Sequence, residues 1–322
     1  MQRGVMSPML LPHVRLQSGH AAFGWLPTGR GAGMRVGGSP GPAVQRRRLR
    51  AELRRVRLEA GLTQDQVAEA MDWSLSKLIR IENGSVSIST NDLKALLQYY
   101  KITDSERVAD LIAMGRVARE RSWWSAYGDI ASRQTLQLIQ YEAAAMISRN
   151  FQLSLAPGLL QTEDYARAVL EKFSPNRTRD EVDALVGIRM RRQQLIDRAD
   201  PPLLFFIMDE AVVRRQVGGP AVLRGQLRRL IEVSAKPNVT IEVVPFRAGV
   251  HPGTLGPFVI HEFPDDADDD TLYLENQQGE FINRDDPDEI LAYRERFEQL
   301  REASLGPGGT ESFLAKLADE LA

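Results

Sequence analysis

Apolar residues recur at helical spacing through the first third of the chain. Across Gln45–Ala60, the residues Leu49, Leu53 and Val56 form one stripe, and arginines surround it. This pattern predicts a helix that Gly61 ends. The same spacing predicts two further helices, Asp92–Tyr100 and Ser105–Arg119, with inward-facing Leu93, Leu96, Leu97 and Tyr100.

Residues 62–84 predict two short helices around a tight turn. Thr63, with Gln66 three residues later, matches a capping box, in which the two side chains each satisfy a free backbone N–H. Ser74 is a second N-cap residue, and Gly84 is a C-terminal stop signal. One helix therefore starts at Thr63 and the next at Ser74, so the first third of the chain predicts five helices.

The second of these short helices keeps an outer face that can contact DNA. Leu78 and Ile81 form its buried stripe, which leaves outside Leu75, Ser76, Lys77 and Arg80. The major groove of DNA admits a helix, and Arg, Lys and Ser side chains hydrogen-bond base edges there. These four residues are the predicted base-facing set. A generic helical hairpin with solvated charges is the alternative, but it does not require two N-caps, a stop and a basic outer face in this order.

The run from about Leu49 to Lys101 resembles the DNA-binding domain shared by Cro and the lambda-type repressors, the xenobiotic-response-element family. The matching motifs are the entry Gly61–Gln64, the pair Val67-Ala68, the outer face Ser74–Arg80 and the exit Ile81–Gly84. The resemblance implies an all-α, lambda-repressor-like domain of five helices. It also implies a regulator, such as a repressor, that binds double-stranded DNA, as a homodimer when two half-sites are present.

By position, the resemblance implies that Gln64 and Ser74 contact phosphate and that Leu75, Ser76 and Arg80 face bases. Two residues depart from the family's pattern. Asp72 stands where the turn usually has glycine, and Asp tolerates a left-handed backbone better than most residues. Leu75 cannot hydrogen-bond a base, so it reads only a thymine methyl group or the shape of the DNA.

Beyond the tandem tryptophans Trp123-Trp124, the chain mixes helices with strands. The tryptophans are expected to pack one domain against another, and the alternative is stacking on a base or a planar ligand. Predicted helices are Leu136–Ile147, Glu163–Glu171 with Thr162 as its cap, Arg179–Arg198, Glu210–Val217, Ala221–Ala235, Glu289–Ala303 and Glu311–Leu321. Predicted strands are Leu203–Met208, Val239–Val244, Phe258–Phe263 and Thr271–Glu275. This order predicts an α+β domain with a small mixed sheet.

The same region resembles the uncharacterised C-terminal domain that accompanies this repressor-type domain in many actinobacterial regulators. The matching segments are Glu142…Ala145, Pro157–Ala168, Arg189…Arg192-Gln193, Asp209–Ala211, and Val244–Phe246 with His251–Gly253. The resemblance implies a half that senses a small-molecule effector or binds a small companion protein. That half would then control the DNA-binding half.

Composition sets limits around these two parts. A chain of 322 residues is long enough for about two domains. The absence of cysteine excludes disulfides and thiolate zinc sites. No apolar run reaches the roughly 20 residues of a membrane span, and the N-terminus lacks a convincing signal peptide. We therefore expect a cytoplasmic, nucleoid-associated protein with no membrane partner.

Charge divides the chain into a basic beginning and an acidic remainder. Residues 1–122 hold 19 Lys and Arg against 11 Asp and Glu, a net charge of +8, which leaves −10 for residues 123–322. Residues 1–43 contain no acidic residue and are rich in Gly, Pro and Arg, which predicts disorder. They form either a basic arm that follows DNA or, the favoured interpretation, a translated leader before a true start near Met34 or later. The predicted domains are 1–43, 44–121 and 122–322.

Candidate catalytic and metal residues are few. His251 beside Pro252-Gly253, with Asp209-Glu210 and Arg189, can be drawn as an acid/base pocket. The favoured interpretation is a loop histidine and a helix N-cap at Asp209. The acidic run Asp265–Asp270 fails the calcium-loop pattern, because Thr271 and Gln277 stand where that loop needs Gly and Glu. We expect no catalytic residue, no metal and no cofactor.

These patterns together predict a sequence-specific transcriptional regulator that is not an enzyme. One alternative is an interaction protein, such as an antitoxin-like or anti-regulator component, that acts through its C-terminal domain. A second alternative is an enzyme with a DNA-binding appendage. The operator, the sign of regulation and the effector are not encoded in any recognisable pattern.

Overall fold

The structure is a computed structural model that describes residues 42–84, 86–120, 122–263, 270–275, 281–284 and 286–321. Most of the predicted leader lies outside these ranges. The first helix begins at Pro42, slightly before the predicted domain start at residue 44, and proline is favourable in a first helical turn. The bounds of the three predicted domains stay a prediction.

The first domain consists of the five predicted helices. They are α1 (Pro42–Glu59), α2 (Gln64–Ala70), α3 (Leu75–Glu82), α4 (Thr90–Tyr99) and α5 (Ser105–Ala118). The predicted inward residues are buried in one cluster, to which all five helices contribute. The Arg46 guanidinium donates to the Ala118 carbonyl at 2.8 and 3.1 Å, which ties α1 to the end of α5. The all-α, five-helix prediction is confirmed.

The second domain is built on one mixed sheet. Its described strands are β1 (Ile147–Gln152), β2 (Leu203–Asp209), β3 (Val239–Val244), β4 (Phe258–Glu262), β5 (Thr271–Glu275) and β6 (Phe281–Arg284). Their order in space is β3-β2-β1-β4-β5-β6. The strands β1, β2 and β3 are parallel, whereas β4, β5 and β6 are antiparallel to their neighbours. The predicted mixed sheet is confirmed, and so is the multidomain fold.

Helices cover both faces of this sheet. They are α6 (Arg133–Ala144), α7 (Glu163–Phe173), α8 (Arg179–Arg192), α9 (Glu210–Arg214), α10 (Pro220–Ser234), α11 (Pro287–Ala303) and α12 (Gly306–Glu320). On β2, Phe206 packs with α7, α10 and α12, whereas the adjacent Ile207 packs with α11 on the other face. This alternation is the period-2 geometry of a strand that is buried on both sides.

The prediction missed two strands and placed several helix ends too late in the chain. The predicted helix Leu136–Ile147 ends at Ala144, and Ile147 instead opens β1. The polar stretch Ser148–Asn150 hides the strand pattern, yet β1 lies between β2 and β4 and pairs with both. The short strand β6 was missed for the same reason, since only its pairing with β5 defines it. The predicted helix Arg179–Arg198 is likewise shorter, because a 3-10 helix follows Arg192.

The tandem tryptophans open a 3-10 helix, Trp123–Tyr127, at the beginning of the second domain. The recorded packing of both indoles is with residues of the second domain, including Ile139 and Ile188. The two domains meet where α1 packs against α6 and where the Arg47 guanidinium lies 3.3 Å from the Phe263 ring centroid. Trp124 packs in the same cluster as Phe263, and the expectation that the tryptophans join the domains stays a prediction. Among the described residues, none of the helices combines the length and apolarity of a membrane span.

Candidate nucleic-acid interface

The backbone of the α2–turn–α3 unit forms as the local sequence predicts. The Thr63 hydroxyl accepts from the Gln66 N–H at 3.2 Å, and the Gln66 side-chain oxygen accepts from the Thr63 N–H at 2.9 Å. The Ser74 hydroxyl accepts from the Lys77 N–H at 3.2 Å and caps α3. Asp72 adopts φ 53°, the left-handed conformation that the turn requires. The predicted starts of both helices and the turn are confirmed.

A buried ion pair holds these helices in place. The Arg57 guanidinium on α1 donates to the two carboxylate oxygens of Glu82 on α3, at 2.7 and 3.0 Å. The Gln64 amide at the start of α2 donates to the same carboxylate at 2.7 Å. The hydrogen bond with Glu82 raises the pKa of Arg57, with burial acting in the opposite direction. One carboxylate thereby joins α1, α2 and α3, and this contact sets how α3 is presented.

The end of α3 is held by a close approach of backbone to side chain. Gly84 has φ 76°, and a Cβ there would lie 2.6 Å from a side-chain carbon of Arg50. Arg50 in turn donates from Nε to the Glu82 carbonyl at 3.1 Å. Glycine is therefore favoured at this position for its left-handed conformation, and a Cβ there would also require the flexible Arg50 side chain to move.

The outer face of α3 is open to solvent. Ser76 and Arg80 are exposed, and Leu75 is 37 % exposed. Arg80 lies along its own helix, because its Nε donates to the Ser76 carbonyl at 3.2 Å. Ile79 is 38 % exposed and had not been predicted in this face. Its spacing of four residues from Leu75 is the signal that could have identified it, since residues i and i+4 share a helix face.

Two of the predicted DNA-contacting side chains have partners inside the domain. The Lys77 ammonium lies 3.1 Å from the Asp92 carboxylate and 4.0 Å from the Trp73 ring centroid. The Gln64 amide is held by Glu82, as described above. Ser74 is exposed at the end of the turn, with its hydroxyl serving as the α3 cap. The structure therefore exposes Leu75, Ser76 and Arg80, with Arg80 hydrogen-bonded to the backbone of its own helix, whereas Gln64, Ser74 and Lys77 make contacts beyond their own helix or cap it.

The candidate acid/base residues of the second domain are only partly brought together. His251 Nε2 lies 3.2 Å from Asp209 Oδ2, and the other carboxylate oxygen of Asp209 caps α9 by accepting from the Ala211 N–H at 2.8 Å. Glu210 accepts from the Phe246 N–H at 2.7 Å. Arg189 lies elsewhere and donates to the Gln161 side-chain oxygen at 2.8 Å. The predicted N-cap at Asp209 is confirmed, and it shares its carboxylate with His251.

The acidic run Asp265–Asp270 is described only at its last residue, because 265–269 lie outside the described residues. Asp270 is buried, accepts from the Phe263 N–H at 3.0 Å and pairs with Arg294. Burial raises the pKa of this carboxyl, and the hydrogen bond from Phe263 opposes the shift. Within the parts of the chain that the structure describes, no group of three or more His, Asp or Glu residues is arranged to hold a metal ion.

Comparison with protein families identifies both parts of the chain. Residues 48–109 match a helix-turn-helix domain, and the match runs from within α1 to the first turn of α5. Residues 135–316 match a domain of unknown function, DUF5753. No curated protein and no solved structure is detectably similar to the chain. The helix-turn-helix match, together with the exposed face of α3, supports a DNA-binding regulator.

Proposed function

Because the chain belongs to the DUF5753 family and carries a helix-turn-helix domain before that region, we propose that it is a sequence-specific transcriptional regulator. The observation that carries the proposal is the open outer face of α3, held in place by the buried Arg57–Glu82 pair. A helix of this kind enters the major groove with its N-terminal residues toward the bases. The second domain then controls how the first domain binds.

In this proposal Leu75, Ser76, Lys77 and Arg80 contact bases, and Gln64 and Ser74 contact phosphate. Arg80 swings away from the Ser76 carbonyl and donates to a base edge, most favourably guanine. Lys77 exchanges its contact with Asp92 for an acceptor on DNA. Leu75 and Ile79 together offer an apolar patch to thymine methyl groups. Specificity therefore combines three hydrogen-bonding side chains, those of Ser76, Lys77 and Arg80, with one apolar patch.

The protein acts as a homodimer on DNA in this proposal. The hydrogen-bonding face of one α3 is small, and two half-sites on one operator multiply a modest single contact. Repression follows if the operator overlaps a promoter. The working compartment is the cytoplasm, at the nucleoid, because that is where the DNA lies.

The second domain senses a ligand or a small partner protein in this proposal, and it has no catalytic role. The support is the contact between the domains: α6 packs against α1, and Arg47 of α1 reaches Phe263 after β4. A change in the second domain therefore reaches the helix that packs behind α3. The His251–Asp209 pair serves to hold the loop after β3 against α9.

Protected DNA recovered from cells, followed by footprinting of the purified chain on that DNA, tests the proposal. We expect Arg80→Ala to weaken specific binding by about 10- to 100-fold, the usual worth of a good base contact. Lys77→Ala should also weaken it. The matched control is Arg116→Ala, since Arg116 is exposed on α5. Footprints of Arg80→Ala and Lys77→Ala that equal the parent's would contradict the assignment of α3 as the recognition helix.

A further inference from the structure

A small cavity lies where the segment after the first domain joins the second. Its volume is about 180 Å³. Its lining includes Trp123, the aliphatic residues Ile139 and Leu195, and the arginines Arg191, Arg192 and Arg198. Trp123 follows the end of α5 by five residues, and Ile139 lies on α6. One wall of the cavity therefore comes from the connection between the domains.

The cavity carries more positive than negative charge. Arg192 is neutralised by Glu142, whose carboxylate accepts from Nε at 3.0 Å and from Nη2 at 2.6 Å. Arg191 lies 4.8 Å from the Trp123 ring centroid. Arg198 donates to the backbone carbonyls of Ala143 and Asp200. Among the described residues, neither Arg191 nor Arg198 forms a salt bridge with a carboxylate.

A further arginine, Arg189, lies near Arg192 but outside the lining of the cavity. Arg189 lies one turn before Arg192 on α8, donates to the Gln161 side-chain oxygen and has no salt bridge within the described ranges. Burial, followed by the charge of Arg192, lowers the pKa of Arg189 to about 10, and Glu142 only partly opposes this. Burial likewise lowers the pKa of Arg198, and the charge of Asp200 opposes this shift. A partly buried cation without a bonded carboxylate is unfavourable, so an anion that enters beside Arg198 is stabilised, and the exposed Arg191 adds a second positive charge there.

A larger cleft in the same domain lacks this property. It has a volume of about 900 Å³ and lies between α7 and α8. Its three arginines are matched by three carboxylates, and Arg167 already bonds both Glu163 and Asp183. The formal charges of the residues that line this cleft therefore cancel, whereas those that line the smaller cavity do not. The smaller cavity is therefore the better candidate for an anion-binding site.

We propose that the small cavity binds a small aromatic carboxylate. The carboxylate bonds Arg191 and Arg198, because guanidinium groups bind carboxylates through paired hydrogen bonds. The ring contacts the Trp123 indole and the aliphatic wall. The size of the cavity selects a single small ring system, since sites for drug-sized ligands measure roughly 300 to 1,000 Å³. This inference rests on the proposed sensory role of the second domain and names its class of ligand.

The position of the cavity gives the ligand a route to the DNA-binding domain. Helix α6 contributes Ile139 and Glu142 to the cavity, and the same helix packs against α1. Trp123 stands at the end of the connecting segment. A ligand that prefers one placement of α6 and Trp123 shifts the population of the whole chain toward it. DNA affinity then depends on the ligand, and ligand affinity depends on DNA to the same degree.

Calorimetric titration of the full chain, without DNA, tests the site. The probe is indole-3-carboxylate, and indole-3-carboxamide is the neutral control of the same shape. We expect the acid to bind at least tenfold more tightly than the amide. Arg191→Gln and Arg198→Gln should each weaken binding of the acid by at least tenfold, whereas Arg228→Gln, an exposed arginine on α10, should bind like the parent. Since Arg191 is exposed, its replacement should leave the melting temperature unchanged.

The inference is overturned if the acid does not bind at millimolar concentration, or if it binds the Arg191→Gln and Arg198→Gln variants as it binds the parent. Footprinting is carried out separately, so the two proposals can fail independently. Binding of the acid together with footprints insensitive to Arg80→Ala would remove the proposed function and leave the site. No binding of the acid, together with a footprint that Arg80→Ala weakens, would contradict the proposed ligand site and support the proposed function.

Discussion

The two domains differ in where the polar side chains of their candidate sites lie. In the first domain, Ser76 and Arg80 stand exposed on one helix face. In the second domain, the Glu142–Arg192 pair lies inside, with both side chains less than one tenth exposed, and His261 is fully buried. An exposed face can be recognised from helical spacing alone. Buried polar groups become visible only when their partners from distant segments are in place.

The distance along the chain between partners explains the difference. The Arg192–Glu142 pair joins residues 50 apart, and the bond between Arg149 and Glu262 joins residues 113 apart. In the α2–turn–α3 unit, the capping hydrogen bonds join residues that are three apart in the chain. Among its described residues, the first domain has one buried ion pair of the distant kind, Arg57–Glu82, whose members are 25 residues apart. That pair also escaped the sequence analysis, so separation along the chain and not the domain decides what can be predicted.

The largest effect is expected from breaking the buried Arg57–Glu82 pair. Replacing Glu82→Ala leaves Arg57 buried without its carboxylate, and we expect a loss of about 3–5 kcal/mol in the free energy of unfolding of the first domain. Hydrogen exchange of the α2 and α3 amides, with urea unfolding, measures it. The control is Glu59→Ala, because the Arg55–Glu59 pair is exposed and should contribute less than about 1 kcal/mol. Equal losses in the two variants would contradict the role of the buried pair.

The second-largest effect is expected in the pH dependence of stability, through the buried histidine of the sheet, His261. Burial, with smaller contributions from Arg192 and Arg47, lowers the pKa of His261 from its ordinary 6.5 to about 3. The unfolded chain therefore binds a proton that the folded chain does not, between these two values. The corresponding stability is fully present above pH 6.5 and is lost as the pH falls toward 3. We expect a loss of about 2 kcal/mol between pH 7 and pH 5.

Urea unfolding of the parent and of His261→Leu at several pH values measures this effect. The variant has no titrating ring at this position, so its stability should change less over the same range, whatever its absolute value. The same acid dependence in both proteins would show that another group is responsible.

A third prediction compares two glycines of the second domain, of which one is closely packed and the other has open space around it. A Cβ at Gly253 would lie 2.3 Å from two atoms of the Phe151 ring. We expect Gly253→Ala to destabilise the second domain by about 1–3 kcal/mol, because a packed core resists added volume. Gly225 lies within α10 with nothing within 4 Å of its Cβ position, so Gly225→Ala should stabilise by up to about 1 kcal/mol. Thermal unfolding distinguishes the two, and destabilisation by both would reject this explanation.

The smallest effect should be equal in the two domains. Thr63 and Thr178 each begin a helix with a capping box. We expect Thr63→Ala and Thr178→Ala each to destabilise by about 1 kcal/mol, since capping is local and does not depend on the surrounding fold. Thr→Ser at each position should restore the loss, because the hydroxyl returns. Hydrogen exchange of the first helical turn measures both, and a much larger loss in one domain would show that its cap has a tertiary role.

The fold was predicted well where contacts are short and poorly where they are long. The caps at Thr63, Ser74, Thr162 and Asp209 formed as predicted. The strand β1 was not predicted, because its polar residues resemble a loop until β2 and β4 flank it. Of the candidate interface, Leu75, Ser76 and Arg80 lie exposed. The contact of Lys77 with Asp92 was not predicted, since Asp92 belongs to the next helix.

The amino-acid sequence by itself determined the α2–turn–α3 unit: its two helix starts, its turn at Asp72 and most of the side chains on the outer face of α3. These features depend on residues within one or two helical turns of each other, and hydrogen bonds over that distance form wherever the local sequence allows them. Only the tertiary structure decided how α3 is held by Glu82, that Ile79 joins the exposed face, and that Trp123 shares a cavity with arginines of α8 and beyond. Those contacts join segments that are far apart in the chain, and local periodicity carries no record of which distant segments meet.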